Sequence, residues 1–434
     1  MEYAPSAERA FFPLAEELEL LPGRLTPSLQ ESLTRLGTWM PFERAASEFT
    51  YFTRTDVSRP TVERVTGTAG AAYVAVQTAE VERLEKELPP APPGPAQQFL
   101  SVDGANVPLV GGEWAEVKTM AIGEVLPPVQ RKGELVIETH HVSYFSRLTD
   151  SDTFQRLALV ETHRRGVEKA GQVGAVTDGA EWIQKFVGFH RPDAVRILDF
   201  PHAAEHVALM GQTVWGEGTD VAQAWLATQL HKLKHEGPTP VLTELRQLSE
   251  THPEQTSLKD PLAYLEKREA HMQYPAFQAA GWPIGAGAVE SGNKLVVEAR
   301  LKGSGMHWAR PHVNPLLALR NIACNDRWEE AWPQIVMSLR QQDRQRRAER
   351  RQKRHAQCTA MPQLAANPVP LIPDQPSLTP VTPSVEPIAQ NSLAIHPAQA
   401  KPAKPWRPPA DHPWRHMPVG RARFNPPKRD GAKT

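Results

Sequence analysis

The stretch QFLSVDGANVPLVGGEWAEVKTMAIGEV, residues 98–125, decides the fold class. Apolar and polar residues alternate on both sides of VGG, which predicts two strands joined by a turn. The segment ELVIETHHVSYFSRL, residues 134–148, repeats this pattern and predicts a third strand. Three consecutive strands predict an antiparallel meander.

Further along the chain, predicted strands alternate with predicted helices. Residues 151–171 and 180–190 have the spacing of helices, whereas VGAVTDG (173–179) and AVRILDF (194–200) have the character of short buried strands. A meander followed by such alternation predicts an α/β protein with a mixed sheet covered by helices. This order matches the ribonuclease H-like fold.

The flanking segments are predicted to be helical or irregular. Residues 1–90 predict a helical region in which 41–54 and 59–73 form a helix-turn-helix about a turn at 56–58, with a further helix near 75–88. An ordinary helical hairpin is the alternative reading of this segment. A proline-rich linker is expected at 91–97.

The remaining boundaries follow from composition. The sheet domain is expected to span 98–340, with an all-helical insertion at about 203–280. Residues 341–434 predict a basic helix followed by a disordered proline-rich tail, because 17 of the 42 prolines lie beyond residue 360.

Charge and composition limit the class of protein. The net charge is zero, but residues 340–434 carry 17 basic and 6 acidic side chains, a balance that suits contact with phosphates. Two cysteines outside any CxxC pair do not suggest a disulfide framework and suit a reducing cytosol. The sequence shows neither a signal peptide nor an apolar run of membrane-spanning length, so no membrane partner is expected.

Three carboxylates have the surroundings of a metal site. Asp103 and Asp178 each end a predicted strand, and Glu290 opens a helix after the glycine-rich GAG. Hard oxygen ligands of this kind suit Mg²⁺ or Mn²⁺. Each has a plainer reading as well, since Asp-Gly is a common turn and a glutamate is favoured near a helix start.

Four blocks of sequence resemble bacterial insertion-sequence transposases of the DDE superfamily, in a group related to the Mutator-like transposases. These blocks are SVDGANVPLVGGEWAEVKTMAIGEV (101–125), TDGAEWIQKF (177–186), ILDFPHAAEHV (197–207) and IGAGAVESGNKLVVEARLKGSGMHW (284–308). The resemblance covers roughly residues 30–330. It implies a ribonuclease H-like catalytic domain with a helical insertion before the glutamate, and a catalytic set of Asp103, Asp178 and Glu290.

The second carboxylate has two candidates, because Asp178 and Asp199 both end apolar strands. In the related group the second catalytic aspartate is followed, a few dozen residues later, by Cys or Asp, two residues and His. The segment Asp199-Phe-Pro-His202 fits that downstream signature, which leaves Asp178 as the catalytic residue. Asp199 and His202 are then accessory residues, and a hydrogen-bonded core histidine is the plain alternative for His202.

The resemblance also implies cofactors and partners. Two Mg²⁺ or Mn²⁺ ions would activate a water that cuts the DNA and frees a 3′-hydroxyl, which then attacks target DNA. The expected partner is double-stranded DNA, both transposon ends and target, bound by a homodimer or higher assembly in the cytoplasm, near the nucleoid. A basic and aromatic group is the candidate DNA contact, with a core role for Trp308 as the alternative: Arg300, Lys302, His307 and Trp308.

Two rival functions use the same sequence. His202-Ala-Ala-Glu205-His206 matches the HxxEH pattern of inverted zinc proteases, although three fixed residues in a helix often arise by chance. A catalytically silent descendant that only binds DNA is the other rival, and the presence of all three carboxylates counts against it.

Overall fold

A computed structural model describes residues 25–131 and 134–360. The helices and strands are, in chain order, α1 (Pro27–Trp39), α2 (Phe42–Thr53), α3 (Arg59–Glu87), β1 (Gln97–Pro108), β2 (Trp114–Val125), β3 (Val129–Arg131), β4 (Glu134–Val136), β5 (Thr139–Arg147), α4 (Ser151–Leu157), α5 (Leu159–Arg164), β6 (Gln172–Thr177), α6 (Glu181–His190), β7 (Val195–Leu198), α7 (Phe200–Trp215), α8 (Asp220–His235), α9 (Pro238–Thr251), α10 (Lys259–Glu266), α11 (Tyr274–Ala279), α12 (Gly287–Gly292), a π-helical segment (Asn293–Glu298), α13 (Ala299–Leu301), α14 (Arg310–Cys324) and α15 (Trp328–Ala360). Short 3₁₀ turns lie at Val167–Lys169, Thr256–Leu258 and Glu269–Met272.

A five-stranded mixed sheet in the order β5-β2-β1-β6-β7 organises the molecule. The first three strands of the chain to join it pair antiparallel, and β6 and β7 continue it in parallel from β1. The predicted α/β class and mixed sheet are therefore confirmed. Side chains alternate between the two faces of each strand, so each face builds its own core.

Helices cover both faces of the sheet. One face of β1 and β2 presents residues such as Leu100 and Met120, which pack with Phe154 of α4 and Phe186 of α6. The opposite face presents Phe99, Val107 and their neighbours to α7, the helical insertion, the π segment and α14. This three-layer arrangement buries both surfaces of the central strands.

The third predicted strand, at 134–148, is divided in the structure. Residues Glu134–Val136 form β4, which pairs with β3 in a separate two-stranded ribbon, and β5 begins only at Thr139. The pairing of β2 with β5 is irregular between Ile122 and Glu124, and His141 has a positive φ of 50°. The alternation of apolar and polar residues does not reveal this break, because β4 and β5 both follow the same two-residue period.

The N-terminal helices share a core with the C-terminal ones. α2 and α3 occur as predicted and meet at a short turn, but α3 continues through the helix expected near 75–88. α3 packs along α14 and α15, and Gly70 permits the approach, since a Cβ there would lie 2.1 Å from the carbonyl oxygen of Pro315. The predicted linker at 91–97 joins α3 to β1, and all described residues fall within the unit Met1–Pro362.

Other predicted boundaries are modified. The helix expected at 151–171 is interrupted, and Gly166 with φ of 63° ends its second part. The segments from Phe200 to Ala279 are all helical, as expected of the insertion. Residues 341–360 extend α15. The predicted disordered tail beyond residue 360 and the first 24 residues lie outside the described residues.

Candidate active site

Strand register brings three aspartates into one row. The parallel pairing of β1 with β6 ends at Leu100 opposite Ala175, Asp103 and Asp178 each lie three residues beyond that pair, and their carboxylates are close enough to interact electrostatically. In the next pair, Thr177 lies opposite Leu198, so the following residues are Asp178 and Asp199. β6 and β7 end immediately before their aspartates. Asp178 and Asp199 therefore follow neighbouring parallel strands at their carboxyl ends, and Asp103 interacts with Asp178 there, at an edge where open α/β sheets commonly bind ligands.

Asp103 is partly buried and lies in a like-charged environment. Burial is the main cause of a raised pKa of its carboxyl, and the nearby Asp178 carboxylate adds to the rise. The backbone N–H of Gly104, the positive potential of His202 and the amide of Asn293 act in the opposite direction. Asn293 Nδ2 donates a hydrogen bond of 2.8 Å to Asp103 Oδ2. A cation bound between Asp103 and Asp178 would relieve their repulsion.

Asn293 and Glu290 lie on one helical segment that crosses the sheet. α12 packs on β1, β2 and β5, and Gly292 allows this because a Cβ there would lie 2.6 Å from Cδ1 of Tyr144. The helix changes to π geometry at Asn293, the residue that bonds Asp103. π segments within helices are frequently found at functional sites.

Glu290 precedes Asn293 by three residues, so both project from the same side of the segment. Its side chain is exposed. Within residues 25–131 and 134–360, no three His, Cys, Asp or Glu side chains are grouped so that they hold a metal ion. The structure therefore brings Asp103 and Asp178 together and does not group Glu290 with them.

Asp199 is a buried anchor. Only 3% of its surface is exposed, and its Oδ1 accepts a hydrogen bond of 2.7 Å from the backbone N–H of Ala286. Its Oδ2 lies 3.7 Å from Nδ1 of His202, and this contact is the main cause of a raised pKa of His202. The backbone N–H of Phe200 also donates to the carbonyl of Ile284. Asp199 thus ties the end of β7 to the glycine-rich lead of the helix that carries Glu290.

The two histidines of the HxxEH sequence contact different partners and do not converge on one point as zinc ligands would. His202 pairs with Asp199, whereas the ring of His206 stacks on Tyr264 with a centroid distance of 3.8 Å and an interplanar angle of 18°. Burial lowers the pKa of His206. His202, Glu205 and His206 do not form a metal-holding group in the part of the chain that the structure describes.

The predicted DNA-contact group requires a correction. Arg300 and Trp308 are 2% and 8% exposed, respectively, and lie inside the core. The Arg300 guanidinium lies 5.1 Å from the Trp308 ring centroid and donates to the carbonyl of Gly37. Lys302 and His307 are exposed, and Lys302 pairs with Glu298 at 2.8 Å. Trp308 is thus a core residue, as the alternative interpretation had it. Basic and aromatic residues that lie close together in the sequence do not show whether their side chains reach the surface, and two of these four do not.

Sequence reasoning missed three residues near the aspartates. Asn293 could have been found from its helical spacing to Glu290. Tyr264 and Arg268 of the insertion contact the backbone at Asp178 and Gly179. No local sequence pattern could reveal these contacts, because Tyr264 lies 86 positions after Asp178 and Arg268 lies 89 positions after Gly179.

Comparison with known proteins does not classify the chain. It matches neither a protein-family model nor a curated protein sequence. None of the described helices has the length and apolar character needed to cross a membrane.

Proposed function

We propose that this chain is a DDE-type DNA transposase with a ribonuclease H-like catalytic domain. The observation that carries the proposal is the pair of carboxylates: Asp103 and Asp178 each lie three residues beyond the last pair of β1 with β6, and they interact electrostatically. The strand order, an antiparallel meander extended by parallel strands, supports the ribonuclease H-like assignment.

The donor set fits a hard divalent cation. Burial is the main cause of the raised pKa of Asp103 and the Asp178 carboxylate adds to it, so a bound cation would offset the repulsion between two partly buried carboxylates. Asp103, Asp178 and Glu290 would hold Mg²⁺ or Mn²⁺. Two ions bound there would supply a lowered water pKa and stabilisation of the leaving oxygen in phosphodiester displacement.

The chain's own residues position the carboxylates. Asn293 orients Asp103 through its amide, and the Asp178 carboxylate accepts the backbone N–H of Ala180 at 2.8 Å. Asp199 fixes the start of the segment bearing Glu290. With both its oxygens engaged inside the protein, Asp199 is better suited to support than to metal binding, which favours Asp178 as the second catalytic carboxylate.

DNA is the proposed substrate and partner, as transposon ends and target. A homodimer or higher assembly would hold both ends at once, and the proposed location is the cytoplasm, near the nucleoid. The exposed part of α15 from 341 to 353 adds phosphate-binding capacity, since it carries six basic and two acidic side chains.

The test is a strand-cleavage and joining assay. Labelled duplexes carrying the DNA that flanks the gene, and a supercoiled plasmid, are incubated with Mg²⁺ or Mn²⁺ and with EDTA. The variants Asp103→Asn, Asp178→Asn and Glu290→Gln should each abolish cutting while the protein stays folded. The exposed Asp193→Asn is the matched control and should cut like the wild type. A wild-type protein that cuts neither substrate with metal would contradict the proposal.

A further inference from the structure

The insertion helix α10 reaches back to the turn that carries Asp178. This turn, residues 178–180, follows the end of β6 and includes Gly179 with φ of 79°. Its carbonyl groups point away from the sheet ladder, because pairing of β6 with β7 ends at Thr177. They need partners from elsewhere in the molecule.

Two side chains of the insertion provide those partners. The hydroxyl of Tyr264 donates a hydrogen bond to the carbonyl oxygen of Asp178. Arg268 donates to the carbonyl oxygen of Gly179 from Nη2 at 2.8 Å and from Nε at 3.3 Å. A Cβ at Gly179 would lie 2.4 Å from Arg268 Nε, so the glycine makes this close approach possible. Consecutive carbonyls of the turn are thus held by two side chains four residues apart.

A stack of three side chains fixes Tyr264. The His206 ring lies parallel to the Tyr264 ring at 3.8 Å, and the Arg268 guanidinium lies 3.6 Å from the same ring centroid. Two groups this close to one centroid must occupy opposite faces. The arginine contact is a cation–π interaction, which is strengthened where the groups are shielded from water. Arg268 Nη1 also donates to the Tyr264 carbonyl at 3.0 Å.

We propose that Tyr264 and Arg268, supported by His206, form a clamp that positions Asp178 for catalysis. The inference rests on the proposed function, because it gives the helical insertion a role at that same site. The two contacts hold the backbone after the Asp178 Cα, and the pairing of Thr177 with Leu198 holds the residue before it, so the origin of the Asp178 carboxylate is fixed. Displacement of a reacting or ligating group by about 1 Å can cost about 100-fold in rate.

The clamp also explains the HxxEH sequence. His202 contacts Asp199, and His206, one helical turn later, supports Tyr264. The two histidines therefore serve neighbouring aspartates of the row rather than one zinc ion. Stacking requires only a flat ring at position 206, whereas zinc ligation would require the imidazole nitrogen.

The experiment compares five variants with wild-type full-length protein. Tyr264→Phe removes one hydroxyl and keeps the ring, and Arg268→Met removes the guanidinium. Lys267→Gln is the matched control, because Lys267 precedes Arg268 in the turn that follows α10 and makes an exposed pair with Glu181. His206→Phe retains a flat ring, and His206→Ala does not.

Two readouts are measured on each protein. The first is amide hydrogen exchange at 179–181, where the Ala180 N–H is bonded to the Asp178 side chain. The second is the Mn²⁺ concentration that gives half-maximal DNA cutting, with DNA affinity and melting temperature recorded alongside.

Tyr264→Phe and Arg268→Met should each raise the exchange rate about tenfold or more and shift the Mn²⁺ dependence to at least tenfold higher concentration. DNA affinity should be unchanged, and Lys267→Gln should stay within about twofold of the wild type on both readouts. His206→Ala should resemble Tyr264→Phe, and His206→Phe should restore both readouts.

The contrary outcomes are separable. Unchanged exchange in Tyr264→Phe and Arg268→Met overturns the clamp, whatever happens to cutting. Faster exchange with an unaltered Mn²⁺ dependence overturns its positioning role. A wild-type protein that never cuts with metal overturns the proposed function and, with it, the positioning role, while exchange still decides the contact itself.

Discussion

Replacing Arg300 with alanine should destabilise the protein strongly without affecting a DNA-binding surface. The Arg300 side chain is 2% exposed and donates to the carbonyl oxygen of Gly37 from Nε at 3.2 Å and from Nη2 at 3.1 Å. Gly37 lies in the last turn of α1, and its carbonyl would bond the N–H of residue 41 if the helix continued. That residue is Pro41, which has no N–H, so Arg300 is the donor that satisfies this carbonyl.

The magnitude follows from the contacts that are lost. A hydrogen bond from a charged group contributes about 1.5–3 kcal/mol. Desolvated cation–π contacts contribute roughly 1–2 kcal/mol each, and Arg300 makes two, at 4.7 Å from the Phe42 ring and 5.1 Å from the Trp308 ring. The cost of burying the guanidinium, seen in the lowering of the pKa of Arg300 to about 10, offsets part of this gain. We therefore expect Arg300→Ala to lower the free energy of unfolding by about 3–5 kcal/mol.

Urea unfolding followed by circular dichroism measures the change, and Arg300→Lys separates charge from geometry. Lysine keeps the charge but lacks the planar fork, so an intermediate loss of roughly 1–3 kcal/mol is expected. Exposed Arg44→Ala is the control and should change stability by less than about 0.5 kcal/mol. A loss below about 1 kcal/mol for Arg300→Ala, together with a weakened affinity for duplex DNA, would refute the buried role and restore the surface role.

Two further predictions concern stability. His190 is buried, hydrogen-bonds the Gln155 carbonyl through Nε2 at 3.0 Å, and has a pKa lowered to about 4 mainly by burial. Because the unfolded chain takes up the proton first, the free energy of unfolding should fall as the pH drops below about 6.5, by roughly 2 kcal/mol at pH 5. Urea titrations at pH 7 and 5 should show that His190→Gln loses this pH dependence. A pH-independent difference between the two proteins would contradict it. Gly70→Ala should lower the free energy of unfolding by about 1–3 kcal/mol, because its Cβ would meet the Pro315 carbonyl at 2.1 Å. Gly67→Ala, whose Cβ would meet no described atom within 4 Å, should stabilise the protein by up to about 1 kcal/mol. Equal melting temperatures for the two variants would count against the tight packing of α3 on α14.

The sequence predicted the sheet because each strand is marked by a local pattern, either alternating apolar and polar residues or a short apolar run. The turn residues after β6 marked Asp178 correctly as a strand-end residue, but the same prediction was wrong for Asp103, because β1 stays paired with β2 up to Pro108. Their alignment could be inferred only once the parallel register was known. Register depends on pairing between segments 75 residues apart, which no local pattern encodes.

Burial of polar groups was harder to predict than the fold. Arg300 and Trp308 look like a surface pair in the sequence, yet their partners Gly37 and Phe42 lie more than 250 residues earlier. Tyr264 likewise finds its role only when the insertion folds back onto the sheet. For Arg300 and Tyr264 a distant backbone carbonyl binds the side chain, and for Trp308 the distant partner is the Phe42 ring; hydropathy carries no information about these contacts.

The most direct test of the central claim is DNA cutting by Asp178→Asn compared with Asp199→Asn. The account predicts metal-dependent cutting by the wild type and a loss of at least 1,000-fold in Asp178→Asn with an unchanged melting temperature. Asp199→Asn should lower the melting temperature, because it keeps an acceptor for the Ala286 N–H but loses the carboxylate charge beside His202, while the folded fraction still cuts. Full activity in Asp178→Asn, or no cutting by the wild type with either Mg²⁺ or Mn²⁺, would contradict the account.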